Sequence, residues 1–441
     1  MTLRVAVVGS GPAGFYAAGA LLAADRGIEV DMIERLPTPW GLVRLGVAPD
    51  HPNIKAVSRA FEKIAARPGF RFLGNVDAGR DLLHEELVSL YDAVIYAVGA
   101  QADRRMGIPG EDLPGSWPAT AFVAWYNGHP DFQELELDLD VERVVVVGNG
   151  NVAIDVARML ALTAEELRPT DTTDAAIAAI AESPLREIVL LARRGPAQAA
   201  FTTPELKEMG ELADADVIVD PADLEGAVGT DTNSERNLEV LRELAARAPA
   251  RKRRAVVFRF CVSPVEIRGT GRVEEVEIVH NELVADERGG VRAVATDRRE
   301  TIPCGLVFRS VGYRGVALPG LPFDEESGVI PNEGGRVAPG LYVAGWIKRG
   351  PTGVIGTNKK DATETVERLL EDARAGLLAR VSDERLESLL EERGVEVVAY
   401  TGWETIDRNE RSRGEPHGRP RIKLCSWEEL LEAAREVGAA R

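Results

Sequence analysis

The chain of 441 residues has only three cysteines, Cys261, Cys304 and Cys425, and no C-x-x-C pair. That excludes a redox dithiol and supplies no ligand set for zinc or an iron–sulfur cluster. Three isolated thiols fit a reducing cytoplasm, each serving as a small structural side chain. The five histidines stand in no metal-ligand spacing, so no metal site is expected. No apolar run approaches the roughly 20 residues of a membrane span. The first one, from Leu3, is broken at Gly9, too short for the core of a secretion signal. Positive charge is in deficit, 53 Lys and Arg against 71 Asp and Glu, a net charge of −18. A surface of that sign disfavours nucleic acid and anionic membrane as main partners.

Apolar residues are abundant, at 45%. With this length they can fill the cores of two or three domains. Glycine, at 43 residues, clusters where apolar runs end. Leu3–Val8 reads as a strand, Ala13–Ala24 as a helix and Ile28–Ile33 as a second strand. Val144–Val147, a helix near Val152–Leu162 and Ile188–Ala192 repeat the pattern, with extra helix and loop over 163–183. Two βαβ units imply an α/β protein with two Rossmann-like folds, each a mostly parallel sheet with helices on both faces. Tyr91–Gly99 and Cys304–Gly312 read as connections between the domains. Gly340–Gly345 returns the chain to the first fold. The first domain is therefore expected to be discontinuous, 1–104 with 322–441, and the second, 105–321, inserted into it. Residues 379–441 show charged helical patterns and no chemistry.

Gly9-Ser10-Gly11-Pro12-Ala13-Gly14 follows a strand and opens a helix. Glycines there let the backbone approach a pyrophosphate, and the helix N-terminus offers N–H groups and a positive dipole end. Glu34 ends the next strand. Its carboxylate can accept both ribose hydroxyls of an adenosine and would repel a 2′-phosphate, so this site suits FAD or NAD and not NADP.

Gly148-Asn149-Gly150-Asn151-Val152-Ala153 repeats the fingerprint with alanine in the last position. Here the following strand runs into Arg193-Arg194-Gly195. Two guanidiniums replace the acid, and their forks suit phosphate oxygens. This site suits NADP. Sites of opposite charge imply two different dinucleotides, and FAD with NADPH is the economical pair. A third glycine-rich stretch, Trp346 to Thr357, precedes a helix expected from about Asn358. Its N-terminus would present N–H groups to the flavin pyrimidine ring. Trp346 either stacks on a ring system or fills core.

These motifs, with Pro39-Trp40-Gly41-Leu42-Val43-Arg44, Gly46 to Pro52, Ala200-Phe201-Thr202 and Gly345 to Gly353, resemble the adrenodoxin-reductase family of ferredoxin–NADP⁺ reductases over nearly the whole chain. The resemblance implies FAD held by Gly9, Gly11, Pro12, Ala13, Gly14, Glu34, Leu42, Val76, Trp346 and Gly353, Val354 and Ile355. It implies NADPH held by Asn149, Gly150, Asn151, Val152, Arg193, Arg194, Glu205, Gly353 and Arg104. It places His51 near the flavin, where it can pair with Glu208 and tune the site's charge; a purely structural histidine is the other reading. The chain lacks a cysteine-rich ferredoxin domain, so the acceptor is expected to be a separate ferredoxin. The densest basic run, Arg236 to Arg254 with Arg242 and Arg247, is the candidate docking segment. A glutamate-synthase small subunit and a redox-silent FAD scaffold are the alternatives. The first usually has cysteine clusters, absent here, and the second leaves the NADP-type pocket unexplained.

Overall fold

A computed structural model describes residues 2–25, 27–285, 290–378, 380 and 382–436. The chain forms two compact units, Met1–Ala102 with Gly312–Arg441, and Asp103–Val311. Both junctions fall earlier than the sequence places them. Asp103 accepts a hydrogen bond from the Thr120 hydroxyl within the second unit. Leu318 and Leu321 pack on the core of the first. Among the described residues no helix is long and apolar enough to cross a membrane.

The first unit is built on a six-stranded sheet. Its strands run in the order Arg336–Ala338, Leu341–Val343, Ala93–Tyr96, Leu3–Val8, Ile28–Ile33, Phe70–Leu73. All pair in parallel except the outer strand Arg336–Ala338. Side chains alternate along Leu3–Val8. Val5 and Val7 pack under helix Pro12–Ala24 with Phe15 and Leu21, while Ala6 and Val8 enter the opposite layer with Leu87 and Val94. This period of two is what a strand buried on both faces requires. Helix Thr357–Arg374 packs beside Pro12–Ala24.

The second unit has a wholly parallel sheet ordered Ser116–Pro118, Leu306–Arg309, Arg143–Val147, Glu187–Leu191, Arg254–Arg259, Ala215–Val219. Val144 and Val146 face helix Asn151–Ala161. Val145 and Val147 face a three-stranded antiparallel sheet of Val262–Arg268, Glu275–Ala285 and Val291–Pro303. The expectation of helices on both faces fails here. The covering strands alternate too, and Val276, Ile278 and Ile302 supply the apolar layer.

Two other expectations are corrected. Tyr91–Gly99 and Cys304–Gly312 are not mere connections. Each contains an interior strand of its own sheet, Ala93–Tyr96 and Leu306–Arg309, and the chain leaves that unit just after it. In both sheets strand order reverses at the fingerprint strand, which creates the crevice where such folds bind ligands.

Candidate functional site

In the first unit, helix Pro12–Ala24 starts at Gly11, with Pro12 at its first position, where its missing N–H costs nothing. A Cβ on Gly14 would collide with the Gly9 carbonyl, so only glycine lets the helix start this close to the strand. A Cβ on Gly11 would meet no described atom within 4 Å. The outer face of the turn is thus bare backbone at a helix N-terminus, the form a pyrophosphate needs. Glu34 is tied to the same turn. Its Oε2 accepts from Ser10 N at 3.1 Å and Ser10 Oγ at 2.6 Å, and its Oε1 accepts from Leu36 N at 3.0 Å. Oε2 is filled by the two Ser10 donors, while Oε1, with one donor, keeps acceptor capacity for a ribose hydroxyl. Val76 contributes no side chain to this surface. It is fully buried, and its N–H donates to the Glu34 carbonyl.

The Pro39–Arg44 motif closes over the turn. Trp40 N donates to the Ser10 carbonyl at 3.0 Å. Trp40 has a φ of 85°, an unusual backbone for a bulky residue. Its indole meets Trp403 edge-on at 4.8 Å, and its buried Nε1 has no hydrogen-bond partner among the described residues. Gly41 lies against Gly11, and Leu42 beside it is 47% exposed. The C-terminal segment, which carries no recognisable motif, holds this one in place. Arg44 is paired twice to the fully buried Glu410, and its guanidinium lies 5.2 Å from the Trp403 ring centroid.

The third stretch is anchored in the same unit. Gly345 N donates to Asp361 at 2.5 Å, and buried Lys348 reaches Glu364 at 2.8 Å and Thr365 at 3.2 Å. Helix Thr357–Arg374 follows. Gly353 and Val354 are exposed ahead of it, while Ile355 packs on the core. Trp346 is half-buried and stacks on Tyr313 at 5.6 Å, so it is already in a ring stack with the protein itself. These three elements fit FAD: bare backbone for phosphates, an oriented acid for ribose and an orphaned buried indole N–H.

In the second unit the turn at Gly148 is equally tight. Its φ is +144°, and an added Cβ would strike the Ser310 carbonyl. Gly150, like Gly11, is open. The turn is clasped by the segment after Arg193-Arg194: Ala200 N donates to the Asn149 carbonyl at 3.0 Å, and Thr202 N to Asn151 Oδ1 at 2.8 Å. Val152, second in helix Asn151–Ala161, is half-buried. Arg193 is exposed and Arg194 partly so. Among the described residues no carboxylate pairs with either guanidinium, which fits a phosphate partner. Glu205 is buried and Glu208 half-buried on helix Thr203–Met209, where Glu208 lies 3.5 Å from Arg158 Nε. Burial, and then the charges of Glu205 and Glu208, push the Asp155 carboxyl well above its usual range. Arg104 is exposed near the start of this unit. His51 is buried in the first unit, ahead of the short helix Pro52–Lys55.

The basic run is not one patch. Arg236 and Arg242 lie exposed on helix Thr232–Ala245, and Arg247 lies beyond its end. Arg254 is buried and donates to the Leu160 and Ile180 carbonyls, each at 2.6 Å. It satisfies helix-end carbonyls rather than facing a partner.

The family model for pyridine nucleotide-disulphide oxidoreductases matches residues 3–195. NADPH-ferredoxin reductase FprA of Mycobacterium tuberculosis is 52% identical over 446 residues, covering 97% of this chain and 98% of that protein. The mitochondrial NADPH:adrenodoxin oxidoreductase of Salvelinus fontinalis is 42% identical, covering 98% and 91%. The solved structure of M. tuberculosis FprA in complex with NADPH matches with a TM-score of 0.95 at 50% identity, over 99% of this chain and 100% of that one. The fold and its two fingerprints define a two-nucleotide oxidoreductase. Within that class the chain belongs to the adrenodoxin-reductase-type family of ferredoxin–NADP⁺ reductases.

Proposed function

We propose that this chain is an FAD-dependent ferredoxin–NADP⁺ reductase whose first unit holds FAD and whose second holds NADPH. Bound there, FAD would supply the chemistry, hydride acceptance from NADPH and release of single electrons to a separate ferredoxin. The chain's own work is to bind and orient. Glu34, fixed by Ser10 and Leu36, holds the FAD ribose. The turns at Gly9–Gly14 and Gly148–Ala153 receive the two pyrophosphates. Arg193 and Arg194 receive the 2′-phosphate, and Arg104 and Glu205 are further NADPH contacts that the family resemblance suggests. His51 and Glu208 tune the charge about the reacting rings. The observation that carries the reading is the opposite charge at the two strand ends, Glu34 in one unit and Arg193-Arg194 in the other.

Arg236, Arg242 and Arg247 supply the local positive charge that an acidic ferredoxin needs on a molecule of net charge −18. Among the described residues all three cysteines are free thiols, which supports a cytoplasmic location. Anaerobic NADPH should bleach the flavin of the purified holoprotein, and added ferredoxin should restore its colour. A flavin that NADPH leaves oxidised would sink the proposal.

A further inference from the structure

Two local irregularities of the second unit meet at one place. Cys261 has a φ of 54°, a left-handed backbone that costs a non-glycine residue energy. The pairing of Glu275–Ala285 with Val291–Pro303 slips between Val279 and Asn281, a bulge that can re-aim a side chain. Asn281 N closes the two together by donating to the Cys261 carbonyl at 2.7 Å. Both converge on the backbone of Arg193-Arg194. Asn281 Nδ2 donates to the Arg193 carbonyl at 2.9 Å and to Ser263 Oγ at 2.8 Å. Cys261 N donates to the Arg194 carbonyl at 3.1 Å. Strain kept at one spot, and aimed at one loop, suggests a task beyond covering the sheet.

We infer that Asn281 is a positioning residue for nicotinamide-cofactor specificity: its amide fixes the Arg193 carbonyl so that two guanidiniums stay aimed at a 2′-phosphate. Arg193 sits past the end of strand Glu187–Leu191, where that strand's ladder no longer holds the backbone. Gly195, two residues on, packs close, and an added Cβ there would lie 3.1 Å from Leu283, two residues beyond Asn281 on the same strand. The antiparallel sheet thus acts as a splint for the arginine loop. This inference rests on the reading of Arg193 and Arg194 as 2′-phosphate binders, and it extends the specificity determinant to a residue far from either fingerprint.

The test compares Asn281→Ala, Asn281→Asp, Ser263→Ala and Arg193→Ala holoproteins. Two measurements are made: binding of 2′,5′-ADP against 5′-ADP, and kcat/KM for NADPH against NADH with ferricyanide as acceptor. Asn281→Ala should weaken 2′,5′-ADP binding about 3- to 10-fold, the worth of one net hydrogen bond. Binding of 5′-ADP and kcat/KM for NADH should stay unchanged. Asn281→Asp keeps the shape but sets an anion against the Arg193 carbonyl, so its loss should be larger. Ser263→Ala keeps the bond to Arg193 and should retain the preference; an equal loss in that variant means the sheet merely loosens, and overturns the inference. If Arg193→Ala abolishes the preference and both Asn281 variants keep it, the inference fails while the arginine reading stands. If Arg193→Ala also keeps it, both fail.

Discussion

Arg44 and Glu410 are 366 residues apart in sequence and form a two-pronged ion pair, Nη1 to Oε2 at 2.8 Å and Nη2 to Oε1 at 2.5 Å. Glu410 also accepts from Leu424 N and from Arg421 Nη1, each at 3.0 Å. Lys423 Nζ reaches the Arg44 carbonyl at 3.3 Å. Burial alone would raise the Glu410 carboxyl, but Arg44, Arg421 and the Leu424 N–H outweigh it and hold it below the usual range. Because the folded value is depressed, its contribution to stability is present above the unfolded value, about 4.3. It is lost as pH falls from there through the folded one.

Glu410→Gln leaves Arg44 buried without its counter-charge. Urea unfolding should show a loss of about 3–5 kcal/mol near neutral pH, the usual cost of breaking a buried pair from one side. The variant's stability should also fall less steeply on the acid side than the wild type's. Because Arg44 ends the motif that carries Leu42, flavin should be released faster, read as rising free-FAD fluorescence. Unchanged release would separate this pair from the cofactor site.

Replacing Arg193 and Arg194 with alanine should raise KM for NADPH far more than for NADH. Removing each charge-assisted hydrogen bond to the phosphate costs on the order of 1.5–3 kcal/mol. An unchanged ratio of the two cofactors would falsify the phosphate assignment.

Glu34→Arg breaks the tie to Ser10 and puts a cation where ribose hydroxyls must donate. The expected product is partly colourless protein whose flavin content recovers only at high added FAD. Full flavin occupancy at wild-type affinity would reduce Glu34 to a brace for the glycine turn.

Arg242→Glu with Arg247→Glu should slow ferredoxin reduction through association, and the wild-type rate should drop with salt. Reduction of a small dye should not change. Both arginines also brace loops, Arg242 on the Ala227 carbonyl at 2.9 Å and Arg247 on the Gly210 carbonyl at 2.8 Å. Arg236→Glu, on the same helix, is therefore the companion variant. Parallel loss of dye and ferredoxin activity excludes docking.

A double-mutant cycle on His51 and Glu208 tests whether they act together. Hydride-transfer rates should depart from additivity by roughly 0.5–3 kcal/mol. Strict additivity assigns them separate roles.

Both fingerprints were legible because strand, glycine turn and helix are neighbours in sequence, and their chemistry is local. Helix Thr357–Arg374 begins within one residue of its expected start for the same reason. The antiparallel sheet was not legible. It covers a face that helices usually cover, and its strands carry alternating polar residues without a chemical motif. Glu410 gave no signal at all: one acid in a charged helix looks like any other until the fold brings Arg44 to it. Arg254 misled in the opposite sense, since a run of basic residues does not reveal that one of them turns inward to helix ends.

The discontinuous first unit sets an order on synthesis. The second unit, Asp103–Val311, is one continuous stretch and can condense as it leaves the ribosome. Helix Pro12–Ala24, made early, must wait for Thr357–Arg374, and the Pro39–Arg44 motif waits longer still, for Trp403 and Glu410. A chain halted before residue 400 would carry every glycine turn and yet lack the clamp over the first. Closure of that clamp belongs to the end of translation, and apolar faces within residues 1–102 wait uncovered until then.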